Sequence, residues 1–238
     1  MSDRPFEIHH SHRDVTGGWL RPAVFGASDG LVSNFALIAG VAGGAAAAGV
    51  DSKAVALAGL AGLIAGACSM AAGEYVSVAS QAELALAEIE LERHELRERP
   101  EAEQAELAAT FVRRGLSPAL ADQVADELSQ DADTALELHV REELGLHVDD
   151  LPSPMTAAVS SFLSFSVGAM IPLLPYLLGA TSLWPAFVVS MIALFIVGVL
   201  VSRVTVRTWL FSGVRQLLLG AAAAGITYIV GSLVGTGV

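Results

Sequence analysis

Long apolar runs, interrupted by one acidic stretch with helical patterning, organise this 238-residue chain. A helix needs ~20 predominantly apolar residues to cross a bilayer. Five runs reach that length, at 23–48, 54–80, 156–179, 183–202 and 213–235. The first twenty residues are polar and lack an apolar core segment, so no cleavable signal peptide is expected and the first run acts as the insertion signal.

Between 81 and 153 the apolar positions thin out to those of water-facing helices. The second run continues without a breaker to Arg99. Pro100, suited to a first helical position, opens a segment closed by Gly115. Ser117 and Pro118 start a helix that runs to about Gln130, Ser117 as its cap. A last helix from about Asp131 ends at Gly145, and Leu151-Pro152-Ser153-Pro154 leads back to the third apolar run. The fold expected is all-α: an integral membrane protein with five transmembrane helices and a three-helix cytoplasmic domain inserted between the second and third spans. Its segments are 1–22 (cytoplasmic N-terminal stretch), 23–80 (spans one and two), 81–153 (acidic domain) and 154–238 (spans three to five).

Composition narrows the class. Hydrophobic residues make up 53% and charged residues 16%, against about a quarter charged in soluble domains, and the mean hydropathy is +0.58. An ordinary soluble domain and a disordered chain are both excluded. Cys68 is the only cysteine, which excludes a disulfide scaffold. The net charge of -12 argues against a nucleic-acid partner, because binding a polyanion requires a basic face. Nineteen of the 25 acids fall between positions 83 and 150, beside six arginines, so the acidity belongs to the inserted segment.

Orientation follows from the basic residues. Arg4, Arg13 and Arg21 precede the first span, and Arg203, Arg207 and Arg215 surround the fourth-to-fifth connection, whereas the opposite side carries Lys53 alone. The N-terminus and acidic domain are therefore expected in the cytoplasm and the C-terminus outside. A preference for Arg over Lys, with high Ala and Gly, points to a bacterial plasma membrane.

Chemistry concentrates in the polar residues of the spans. Asp29 lies eight residues past Arg21, about 12 Å into the first span, where a carboxylate costs ~2.5–3.5 kcal/mol on insertion scales and is functional by default. The alternative is an aspartate capping a broken helix, since Gly30 and Asn34 follow. On the second span Ala58, Gly62, Gly66, Met70 and Glu74 recur every four residues as one stripe. Gly26 and Gly30 give the first span a small-residue face as well, and the two helices are expected to touch along these glycines. Asp29, Met70 and Glu74 then fall at one level, and a thioether with two carboxylates suits a borderline divalent transition ion. Met70 as a packing residue and Glu74 as a snorkelling one are the plain alternatives.

In the acidic segment Glu92 and Glu95 share a helix face, as do Glu103 and Glu106 across Pro100. A bridging cation would make two such facing pairs tolerable, and His139 with Glu143, four residues apart, would complete an oxygen and nitrogen site. The competing reading is a solvated acidic face, and His94 reads as surface. His9, His10 and His12 form a short tract of weak metal-binding character. Pro172 and Pro175 are expected to break the third span, as kinks that line a cavity or only pack. No Gly-rich phosphate loop, HExxH, CxxC or G-x-S-x-G occurs, so neither an enzyme nor a prosthetic group is expected.

The segments WLRPAVFGASDGLVSNFALIAGVAGG, AGLIAGACSMAAGEYVSVASQAE, SFLSFSVGAMIPLLPY and RQLLLGAAAAGITYIVG resemble the vacuolar iron transporter family, with coverage of essentially residues 9–238. The resemblance implies a five-span homodimer whose cytoplasmic domain gathers Fe²⁺ and similar ions and feeds a dimer-axis pathway, with proton antiport as the drive. By position, Asp29 and Met70 look like its membrane metal residues, and Glu92, Glu95, Glu103, Glu106 and Glu143 resemble its domain ligands. Two departures stand out: Gly62, where many eukaryotic members carry an acid, and His139 with Val140, where those members carry methionines. The expected function is export of Fe²⁺ or Mn²⁺ from the cytoplasm, with protons and the lipid bilayer as the other partners. The rival is a membrane-anchored metal buffer or sensor that binds and moves nothing. A structural scaffold is the third reading.

Overall fold

The computed structural model describes residues 18–146, 151–203 and 207–237. They form eight α-helices, with no strand among the described residues: α1 (Leu20–Ala48), α2 (Ser52–Glu98), α3 (Pro100–Arg113), α4 (Pro118–Leu128), α5 (Ala132–His139), α6 (Pro154–Leu177), α7 (Leu183–Ser202) and α8 (Trp209–Gly235). A π-helical turn, Val140–Leu144, continues α5. Five of the helices (α1, α2, α6, α7 and α8) are long and apolar enough to cross a membrane. The chain divides into two compact units, Met1–Glu74 with Met155–Val238, and Tyr75–Pro154. Helix α2, 47 residues long, contributes to both.

In the first unit Ile38, Val55, Leu63, Ala67, Phe165, Leu173 and Tyr176 form one buried cluster, and Leu31, Phe35, Ala39, Leu194 and Ala224 a second. Small residues decide how closely the helices approach, because between apolar helices in lipid the attraction comes from close packing rather than from the hydrophobic effect. Gly26 and Gly30 bear on α6, not on α2 as their spacing suggested. A Cβ at Gly26 would meet Ser164 Oγ and the Ser161 carbonyl, and one at Gly30 the backbone of Phe165. Helix α2 instead opens its glycines to large side chains: Gly62 receives Leu37 and Asn34 of α1, and Gly66 receives the Phe165 ring. The tightest glycine seam joins α1 to α8, where Gly40 and Gly44 lie against Gly231 and Gly235 backbone to backbone.

Two further expectations change. Helix α1 runs unbroken through Asp29, Gly30 and Asn34, so Asp29 is not the cap of a broken helix. Helix α6 likewise passes through Pro172 and Pro175 without interruption. A proline removes one backbone hydrogen bond and strains the turn before it, but neighbouring helices hold this one in place. Pro172 is fully buried beside Leu173, and on the same helix Ala169 O accepts a 2.7 Å bond from Asn34 Nδ2.

The second unit is built on its punctuation. Pro100 occupies the first turn of α3 and Pro118 that of α4. Ser117 is the N-cap residue of α4, but its hydroxyl makes no capping bond, leaving the fixed φ of Pro118 to start the helix. Asp131 caps α5 fully, accepting from the Thr134 amide at 2.8 Å. Leu107, Ala108, Ala121 and Ala125 join α3 to α4, while Ile89, Leu136 and Val140 join the distal part of α2 to α5 and the π turn. That second cluster sets α5 against α2 one turn from Glu92.

Candidate metal site

Glu92 on α2, Glu103 on α3 and His139 on α5 converge inside the second unit, with one ligand atom of each lying within 4.8 Å of the others. All three are buried, and His139 is fully so. His139 Nδ1 lies 2.9 Å from Glu92 Oε1, 3.1 Å from Glu143 Oε1 and 3.7 Å from Glu103 Oε2. The π turn immediately follows the histidine, a placement common at functional sites.

One ring nitrogen carries at most one proton and so satisfies one carboxylate at a time. The remaining oxygens are left without a protein donor. Glu92 Oε1 and His139 Nε2 are both buried without a hydrogen-bond partner. Two ionised carboxylates 4.8 Å apart repel by about 3.5 kcal/mol at an effective dielectric of 20. Burial, and after it the charge of Glu143, pushes the Glu92 carboxyl up to about 7, with Glu103 and Glu95 adding to the rise and His139 opposing it. Glu103 is raised too, first by burial; His139 opposes, while Glu106, Glu95 and Glu143 add.

Such a cluster holds either protons or a cation. Ligands at about 2.1 Å from a single ion lie roughly 3.0 Å apart in an octahedron and 3.4 Å apart in a tetrahedron, and the three nitrogen-to-oxygen spacings bracket these values. Two carboxylates and an imidazole, with the Glu143 carboxylate on the same ring nitrogen, make up a donor set of the kind that suits a divalent first-row ion. Glu95 is half-buried and Glu106 exposed, so these two act on the cluster through their charge. Glu142, overlooked in the sequence, has a buried side chain and accepts from Arg114 Nη1 at 3.0 Å, tying the π turn to the end of α3.

In the first unit Asp29 is half-buried on α1, and Ser33 Oγ donates to its backbone carbonyl at 2.6 Å. Met70 packs against the cluster of Leu63, Ala67 and Phe165. Glu74 is half-buried at the end of the unit. Among the described residues neither Asp29 nor Glu74 joins a group of three or more acidic, histidine or cysteine ligands. His94 is exposed. His9, His10 and His12 lie outside the described residues, as do Arg4 and Arg13.

Fold and site together define a class: a multi-pass, all-helical membrane protein with a buried carboxylate and imidazole cluster in a separate helical unit. The chain belongs to the VIT family, whose model matches residues 20–232. It is 39% identical over 226 residues to a protein named vacuolar iron transporter in Acanthamoeba castellanii (strain ATCC 30010 / Neff), covering 92% of this chain and 79% of the amoebal one. It is 34% identical to vacuolar iron transporter 1 of Oryza sativa subsp. japonica (92% and 87% covered). With vacuolar iron transporter 1 of Arabidopsis thaliana the identity is 31%, over 95% and 90% of the two chains.

Proposed function

We propose that this protein is a divalent transition-metal transporter that moves Fe²⁺, with Mn²⁺ as a secondary cargo, out of the cytoplasm by exchange for protons. The observation that carries the proposal is the convergence of Glu92, Glu103 and Glu143 on His139 Nδ1, in a chain with five helices long enough to span a membrane. Membership of a family whose relatives are named vacuolar iron transporters supports it.

In this reading the second unit faces the cytoplasm and collects the ion, the N-terminus lies on the same side, and the C-terminus lies outside in a bacterial plasma membrane. Glu92, Glu103, His139 and Glu143 hold the collected ion, and the charges of Glu95 and Glu106 draw it in. Asp29, Met70 and Glu74 form the station within the membrane. Because only one or two acids per chain enter the spans, a pathway shared by two copies at a two-fold axis would assemble a fuller ligand set, and a homodimer is part of the proposal. Protons compete with the metal for each carboxylate, so a more acidic exterior favours release there and proton entry in return. The protein works on ions as cargo and needs no enzyme chemistry and no prosthetic group.

Substituting Asp29→Ala tests the proposal. Cells relying on the variant should lose tolerance to excess iron, while the purified variant keeps its affinity for metal in the second unit. Unchanged tolerance would contradict the transporter and leave the buffer or sensor.

A further inference from the structure

We infer that His139 makes the collecting site selective for imidazole-preferring ions, ranking Zn²⁺, Ni²⁺, Co²⁺ and Fe²⁺ above Mn²⁺ more steeply than its glutamates alone would. This rests on the metal-binding role of the second unit proposed above and goes beyond it by naming which residue sorts the ions. Glutamates alone sort them shallowly, because carboxylate oxygens follow the general rise in affinity from Mn²⁺ towards Zn²⁺ yet also suit Mg²⁺, Ca²⁺ and Mn²⁺. A neutral nitrogen donor steepens that ranking in favour of ions with stronger imidazole bonds.

The geometry makes the imidazole the centre of the site, not an accessory. Its Nδ1 is the atom on which three carboxylates from α2, α3 and the π turn converge. The ligand atoms of Glu92, Glu103 and His139 all lie within 4.8 Å of one another, so an ion held by the two glutamates has the imidazole beside it. The ring is fully buried, so it cannot swing aside and let water take its place. The packing that fixes it comes from its own neighbours, since Leu136 and Val140 on either side are buried against Ile89 of α2. Nε2 has no partner, leaving the opposite nitrogen free to carry the ring proton once Nδ1 binds an ion.

The test uses the full chain in detergent, titrated separately with Zn²⁺ and Mn²⁺ in competition with a fluorescent chelator, for wild type and His139→Gln. Wild type should bind Zn²⁺ the more tightly. The substitution should weaken Zn²⁺ by roughly ten-fold or more and change Mn²⁺ by less than about three-fold, collapsing the ratio. An unchanged Zn²⁺ to Mn²⁺ ratio overturns the inference but leaves metal collection standing. If wild type binds neither ion in the second unit, the proposed function itself fails. A measurement on wild type alone covers a misfolded variant: with ¹⁵N-labelled histidine, Zn²⁺ should shift the Nδ1 resonance of one buried ring among the six histidines, at the affinity seen in the titration. Zn²⁺ binding that leaves that resonance unmoved also overturns the inference.

Discussion

Replacing Glu92 by Gln removes a carboxylate that the metal-free protein holds at a cost, and the size of that cost follows from its environment. The Glu92 carboxyl titrates at about 7 in the fold against an ordinary value of 4.5. The folded state therefore binds this proton more tightly than the unfolded chain, and the stability it confers is complete below pH 4.5 and lost as pH rises through 7. Each tenfold difference in proton affinity between the two states is worth about 1.4 kcal/mol. The loss between pH 5 and pH 8 then comes to about 2–3 kcal/mol, of which roughly half falls between pH 6 and pH 8. Glu92→Gln keeps the shape without the charge, so the difference in stability between variant and wild type should grow by that amount over the same range. The assay is chemical unfolding of the second unit in the chelator-treated full-length protein, followed at pH 5, 6, 7 and 8. A difference that stays flat across this range would refute the reasoning that burial and neighbouring charge destabilise ionised Glu92.

The same protonation governs metal affinity: deprotonation of Glu92 should tighten Zn²⁺ binding about ten-fold between pH 6 and pH 8, read by titration, with the pH dependence reduced in Glu92→Gln. Gly231→Leu should disrupt the α1–α8 seam, where a Cβ would strike the Gly40 carbonyl, and lower stability by about 1–3 kcal/mol or more, whereas Gly225→Ala, which faces open space within α8, should leave stability unchanged or slightly raised. Asp131→Ala should cost about 1 kcal/mol through loss of the α5 cap, measurable as earlier unfolding of the second unit. Arg114→Ala should leave the buried Glu142 carboxylate without its α3 partner and lower the stability of the second unit by about 1–2 kcal/mol, discounted for the exposure of the arginine.

Helix positions were legible in the sequence because each rests on local chemistry. The runs at 183–202 and 213–235 became helices with ends at or within four residues of those positions, and Pro100, Pro118 and Asp131 start α3, α4 and α5. Which faces meet was not legible. A GxxxG spacing says that some backbone comes close, without saying whose, and Gly26 and Gly30 chose α6 while Gly40 and Gly44 chose α8. Prolines mislead for a related reason: Pro172 and Pro175 mark lost hydrogen bonds, but whether the helix breaks depends on the tertiary packing around it, which buries Pro172 fully.

The acidic segment divides along the same line. Helical spacing places Glu92 with Glu95 and Glu103 with Glu106, and tertiary packing, that of Ile89, Leu136 and Val140 beside Glu92 and of α3 through Leu107 and Ala108 beside Glu103, buries one member of each pair and leaves the other closer to water. His139 was legible as a donor type four residues from Glu143, but its position at the centre of the cluster depends on three helices and a π turn that no local pattern marks.

Transport itself is tested most directly by flux through sealed liposomes. Purified protein would be reconstituted with a metal reporter and a pH reporter enclosed, and Fe²⁺ added outside under reducing conditions, for wild type and Asp29→Ala. In a proton-coupled transporter Fe²⁺ enters with a matching proton movement in the opposite direction, and Asp29→Ala abolishes both while metal binding in the second unit persists. Metal that binds the protein yet never crosses the membrane would contradict transport.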